Sequence, residues 1–244
     1  FHLLGGHVRE TTGFESTAIA KGESLYDTAR VLSGYSDAIV MRHPTEGSVS
    51  EFATASRVPV INGGDGANEH PSQALLDLFT IRSELAGRGR GIDGLRIAMV
   101  GDLRFGRTVH SLSRLLTRFS NVRVSLVSPS ELRMPEALVE EMRERGVDVV
   151  ETDQLEVGIA NVDIVYSTRI QEERFASQAD ADLYRGRVRL NQSIYTELCE
   201  TTTVIMNPLP RDTRASGQER DEELTQHHTM GIVRQLGHGG AERR

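Results

Sequence analysis

NGGDGANEHPSQALLDLFTI, residues 62–81, follows directly on the apolar run Val58-Pro59-Val60-Ile61. The pattern predicts a strand ending at Ile61, a glycine-rich turn, and then a helix with an apolar face of Leu75, Leu76, Leu78, Phe79 and Ile81. Pro71 suits the first helical position, where its missing N–H has no intrahelical partner to lose. Ser72 and Gln73 then fall in the first turn, with His70 three residues before Gln73. In an α/β protein, a strand, a polar turn and a helix start form the place where backbone N–H groups converge on an anion.

On both sides of this stretch, apolar β-type runs alternate with helical patterns. Strands are expected at 6–11, 38–42, 58–61, 96–101, 122–127, 147–151, 163–168 and 203–207. Helices are expected at 24–32, 47–55, 70–85, 107–119, 135–145 and 155–160. The alternation argues for an α/β fold: two doubly wound parallel-sheet domains, with the active site in the cleft between them. The Gly- and Arg-rich stretch 86–91 reads as the linker, with Arg88 and Arg90 as solvated charges. The resulting domains are 1–88 and 92–230, followed by a segment at 231–244 that starts back toward the first domain. The polar stretch 211–229 reads as a loop of the length that often serves as a lid.

Composition narrows the partners. Net charge is −7 over 244 residues, which disfavours nucleic acid. No apolar run approaches the ~20 residues of a membrane span, and FHLLGGHVRE lacks the parts of a signal peptide. The single Cys199 excludes an internal disulfide and a cysteine-rich zinc site; it reads as buried filler, and a cytoplasmic address follows. Of 28 basic residues only Lys21 is lysine, leaving 27 arginines. A flexible ammonium and a planar guanidinium are not interchangeable at a tight site, so that one exception draws notice.

Arginines and polar groups gather at the expected strand C-termini, where open α/β sheets bind ligands. Arg42 ends the run Ala38 to Met41, Arg107 follows the turn after Val100, and Arg169 ends Ile164 to Thr168 with Gln171 two residues on. Asn207-Pro208-Leu209-Pro210-Arg211 ends the last run, and its prolines leave backbone carbonyls as acceptors. Converging guanidinium groups suit bidentate capture of carboxylates or phosphates. The expectation is a small, multiply anionic substrate and no metal.

The motifs MRHP, HPSQALLDLFTI, GDLRFGRTVHS, STRIQEER and NPLPR, in this order, resemble the aspartate carbamoyltransferase catalytic chains. That family transfers a carbamoyl group from carbamoyl phosphate to L-aspartate, an early step of pyrimidine synthesis, with no cofactor. The resemblance implies that Arg42, His70 and Gln73 contact carbamoyl phosphate, with the Leu209 and Pro210 carbonyls orienting its NH2 group. It implies that Arg107 and Arg169 hold the two aspartate carboxylates, with Gln171 nearby. Lys21, also an expected aspartate-binding residue, matches the lysine of a loop that reaches into a neighbouring subunit's site. Lys21, Arg42 and His70 are thereby the catalytic candidates, in a homotrimer with shared sites and possible regulatory chains.

The chain also departs from the pattern. The family's Ser-Thr-Arg-Thr phosphate-binding segment is expected just before Phe1, and its closing helix just after Arg243. Their absence implies a chain truncated at both ends, with little activity as it stands. Asn207 occupies the place of the family's usual histidine. Two rivals are an ornithine-type carbamoyltransferase and a non-catalytic, anion-binding or structural paralogue. Two arginines in the second block favour a dicarboxylate acceptor over ornithine, and the retained site residues argue against the paralogue.

Overall fold

A computed structural model describes residues 2–10, 22–171 and 202–208, and between these 175, 177, 179, 184 and 197–199. The chain divides into two compact units, Phe1–Asp65 and Gly66–Arg244. Among the described residues no helix is long and apolar enough to cross a membrane.

Unit 1 pairs β1 (Ile39–His43) with β2 (Val60–Asp65) in parallel, beside α1 (Leu25–Leu32) and α2 (Ser48–Ala55). Ser24 caps α1 by accepting from the Asp27 N–H at 3.1 Å, as its position before the apolar periodicity predicts. Ala29, Met41, Val49, Phe52 and Ala55 form the small core. Two expectations fail in this unit. Residues 6–10 form no strand, and the glycine-rich stretch does not turn after Ile61. Strand β2 instead runs on through Asn62, Gly63 and Gly64 to Asp65. A Cβ on Gly63 would lie 3.3 Å from the Met41 carbonyl oxygen, and Gly64 has φ +126°. The glycines therefore let β2 lie tight against β1, and the turn begins only at Gly66.

Unit 2 is a five-stranded parallel sheet in the order β5-β4-β3-β6-β7. Its strands are β3 (Arg96–Val100), β4 (Arg123–Val127), β5 (Asp148–Thr152), β6 (Ile164–Ser167) and β7 (Val204–Met206). Alternate residues feed two cores. Ile97, Met99, Val124, Leu126, Ile164, Tyr166, Val204 and Met206 join α3 (Pro71–Ala86), α4 (Arg107–Leu116) and α5 (Glu136–Glu144). Ala98, Val100, Val127, Val165 and Ile205 join Ile159 and Val162, with Leu155 of the short α6 (Leu155–Gly158), Leu198 and Cys199 packed against them. Burial on both faces explains why these strands read as continuous apolar runs. Half-buried Cys199 is filler at the edge of this second core, where burial pushes its thiol up to about 11.

Helix α3 corrects the predicted apolar face. Leu75, Leu76 and Phe79 are 59%, 43% and 58% exposed, whereas Ala74, Asp77, Thr80, Ile81 and Leu85 are buried. The helix is turned so that a carboxylate, not the leucine pair, faces the core. Its Ala74, Ile81 and Leu85 share one core with Val109, Leu112 and Leu116 of α4. For that reason α3, which the sequence reading places in the first domain, lies within unit 2.

The stretch after α3 is also held, contrary to the expectation of solvated charge at Arg90. Arg90 binds both oxygens of buried Asp163, at 2.7 and 3.2 Å, and Arg96 donates to it from both its backbone and its guanidinium. Burial pushes the Asp163 carboxyl up, but the two arginines outweigh it and hold the group well below the usual carboxylate range. Asp163→Asn is expected to lower stability by about 2 kcal/mol at neutral pH, a value reduced because both arginines are partly exposed. A depressed folded-state pKa gives stability that is present above the unfolded value of 3.8 and lost below it. The difference between variant and parent in thermal unfolding should therefore shrink as the pH falls below that value.

Candidate active site

The turn Gly66–His70 is fastened to one stripe of α4. Arg107 Nη1 donates to the Gly66 carbonyl at 3.1 Å, and the two ring nitrogens of His110 lie 3.2 Å from Asn68 O and 2.9 Å from Leu103 O. Ser111 Oγ accepts from the His70 N–H at 2.8 Å and donates to Glu69, which also pairs with Arg114. Positions 107, 110, 111 and 114 recur at i, i+3, i+4 and i+7, the spacing of one helical face. The sequence reading missed this stripe. The periodicity was visible, but a polar stripe without a known partner reads as a solvated surface.

That fastening fixes His70 at the N-cap of α3, with Pro71 at the first helical position. Ser72 Oγ lies 3.3 Å from His70 Nδ1. With the serine donating, the ring proton sits on Nε2, and a neutral imidazole presents an N–H. Gln73, one residue on, donates through Nε2 to Asp77 Oδ1 at 3.0 Å, and Tyr166 of β6 donates its hydroxyl to Asp77 Oδ2 at 2.7 Å. Burial raises Asp77 to about 6 against the opposing pull of those two bonds. Burial, then the Asp77 charge, pushes Tyr166 well above its ordinary range.

The ends of neighbouring strands β3 and β6 are stitched together by Asp102. This buried carboxylate accepts from the Phe105 N–H at 2.9 Å and from the Gln171 N–H at 3.0 Å. Burial raises its pKa, and the backbone donors counter the shift. Close approach explains Gly101 (φ +117°), where a Cβ would fall 2.4 Å from the Thr168 carbonyl oxygen. Arg107 thus opens α4 just beyond one strand end, while Arg169 and Gln171 follow the next. All three are half-buried, and Arg169 Nη1 donates to Ile170 O at 3.1 Å.

Five of the expected site residues, His70, Gln73, Arg107, Arg169 and Gln171, belong to unit 2: His70 and Arg107 are tied through the 66–70 turn, Gln73 to Asp77 and Gln171 to Asp102. Arg42 stands in unit 1, exposed on β1. Lys21, Leu209 and Pro210 lie outside the described residues, as do the predicted loop at 211–229 and the segment 231–244. Asn207 follows β7 with 4% exposure, and its amide has no hydrogen-bond partner among the described residues. An unmet buried amide costs about 1–3 kcal/mol. Asp77, Tyr166 and Asp102 escaped the sequence reading because nothing in local pattern marks a carboxylate as buried.

Comparison with known proteins gives the family. The carbamoyl-P binding domain of the aspartate/ornithine carbamoyltransferases matches residues 1–83, and their Asp/Orn binding domain matches residues 93–241. The aspartate carbamoyltransferase catalytic subunit of Saccharophagus degradans is 68% identical over 98% of this chain, which spans 71% of that relative. That of Cellvibrio japonicus is 65% identical over the same shares. Among solved structures, Trypanosoma cruzi aspartate transcarbamoylase in complex with carbamoyl phosphate and aspartate superposes with a TM-score of 0.79. It is 38% identical, over 91% of this chain and 69% of that one. Motifs, parallel-sheet architecture and these matches over nearly all of its length agree: the chain belongs to the aspartate/ornithine carbamoyltransferase family, with the aspartate carbamoyltransferase catalytic subunits.

Proposed function

We propose that the protein transfers the carbamoyl group of carbamoyl phosphate to L-aspartate, giving N-carbamoyl-L-aspartate and phosphate, in pyrimidine biosynthesis in the cytoplasm. The observation that carries the acceptor choice is the pair Arg107 and Arg169 at adjacent strand ends, where Asp102 ties the backbone at Phe105 to that at Gln171. Two guanidinium groups match two carboxylates, whereas ornithine, reacting through its side-chain amine, would present one carboxylate and a repelled α-ammonium. Gln171 completes this half.

In the donor half, Arg42 and the Nε2–H of His70 polarise the carbamoyl oxygen and hold the negative charge that gathers there as the aspartate amine adds. Gln73 and the Leu209 and Pro210 carbonyls orient the NH2 group, and Lys21 supplies a mobile positive charge for the departing phosphate. No covalent enzyme intermediate is needed, because positioning and electrostatic stabilisation supply the rate. We further propose a division into a carbamoyl-phosphate domain, 1–88, and an aspartate domain, 92–230, which the two family matches support. A homotrimer with Lys21 shared between subunits, and association with regulatory chains, complete the reading.

The test is phosphate release by the full-length natural protein supplied with carbamoyl phosphate and either L-aspartate or L-ornithine. Release with aspartate and none with ornithine is expected. The reverse preference would assign the protein to the ornithine branch, and no turnover with either would leave it an anion-binding relative.

A further inference from the structure

Asp77 lies one helical turn after Gln73, on the buried side of α3, and two donors bear on it. Gln73 Nε2 and the Tyr166 hydroxyl each donate to one carboxylate oxygen. Asp77 is 2% exposed and Tyr166 fully buried. An apolar pair of the same volume would fill this space without desolvating a carboxylate, so packing alone does not account for the arrangement.

The arrangement has a direction. An ionised carboxylate only accepts hydrogen bonds, whereas a glutamine amide offers an acceptor at one end and donors at the other. Raised to about 6, Asp77 is still mostly ionised at neutral pH. Gln73 must then turn its NH2 inward to Asp77 and keep Oε1 outward, as a fixed acceptor.

We propose that Asp77, itself ordered by Tyr166, is a positioning residue that sets the Gln73 amide so that Oε1 reads the N–H of the carbamoyl group. The same device discriminates against acyl phosphates that carry a methyl in place of that NH2. This rests on the function proposed above, and it names how the donor site tells a carbamoyl from an acetyl group. Asparagine at position 77 can either donate or accept, so the Gln73 amide loses its enforced orientation while the volume is unchanged.

The test measures binding of carbamoyl phosphate and of acetyl phosphate to the full-length natural protein by calorimetry, beside thermal unfolding. Asp77→Asn is expected to weaken carbamoyl phosphate about tenfold, the worth of one well-made hydrogen bond, and acetyl phosphate less than about threefold. In a Gln73→Ala background the same change should alter carbamoyl-phosphate binding less than about threefold, because the group it positions is gone. Should Asp77→Asn not fold, Tyr166→Phe carries the test with the same selective pattern at about fivefold. Equal losses for both ligands, an undiminished loss without Gln73, or no loss in either variant overturns the proposal. Failure of carbamoyl phosphate to bind the unaltered protein would show instead that the parent reading is wrong, and this one with it.

Discussion

Replacing Arg169 with alanine is expected to raise the KM for L-aspartate about a hundredfold while changing the KM for carbamoyl phosphate less than about threefold, the loss of one charge-assisted bidentate pair. The residue leaves the end of β6 half-buried, and its Nη1 is already held by the Ile170 carbonyl. That bond helps to fix the plane of the guanidinium, and a planar fork suits bidentate capture of a carboxylate. Water fills the gap in the variant, yet the aspartate carboxylate loses both its partner and the preorganised field around it. Arg169→Lys should recover little, because an ammonium cannot reproduce two parallel N–H bonds. Steady-state kinetics with each substrate varied in turn checks the expectation. Equal losses for the two substrates would move Arg169 to the donor half.

His70→Ala is expected to lower kcat by about 100- to 1,000-fold, the cost of removing one donor from a developing oxyanion. Its effect on stability should be small. Ser111 holds position 70 through the backbone N–H, and alanine retains that group. The His70 side chain makes no capping bond to α3. Thermal unfolding within a few degrees of the parent, beside a large fall in kcat, separates a chemical role from a structural one. An unchanged kcat would reduce His70 to a member of the turn.

Most of the fold could be read before any coordinates, for identifiable physical reasons. Parallel strands buried on both faces are continuous apolar runs, and β3, β4, β6 and β7 were visible as such. Ser24 and Pro71 mark helix starts because a serine oxygen can accept from a first-turn N–H and a proline has no N–H there to leave unmet. The errors share a cause as well. Gly63 and Gly64 look like a turn until the neighbouring strand that crowds them is known. Leu75, Leu76 and Phe79 look like a core face because hydrophobicity was counted without Asp77, whose burial depends on Tyr166 nearly ninety positions away. Among the site residues, the arginines were legible because strand ends are where α/β sheets bind. Arg90 was misread because Asp163, the group that binds it, lies far along the chain, just before β6.

Asp102 anchors position 171 through its amide nitrogen, not through anything the glutamine side chain does. Whatever amino acid stands there, proline excepted, inherits the same anchor. The rim beside Arg169 is thus a socket of constant geometry with an interchangeable tip. Descendants of this scaffold could retune which amino acid they accept at that point without first rebuilding the frame.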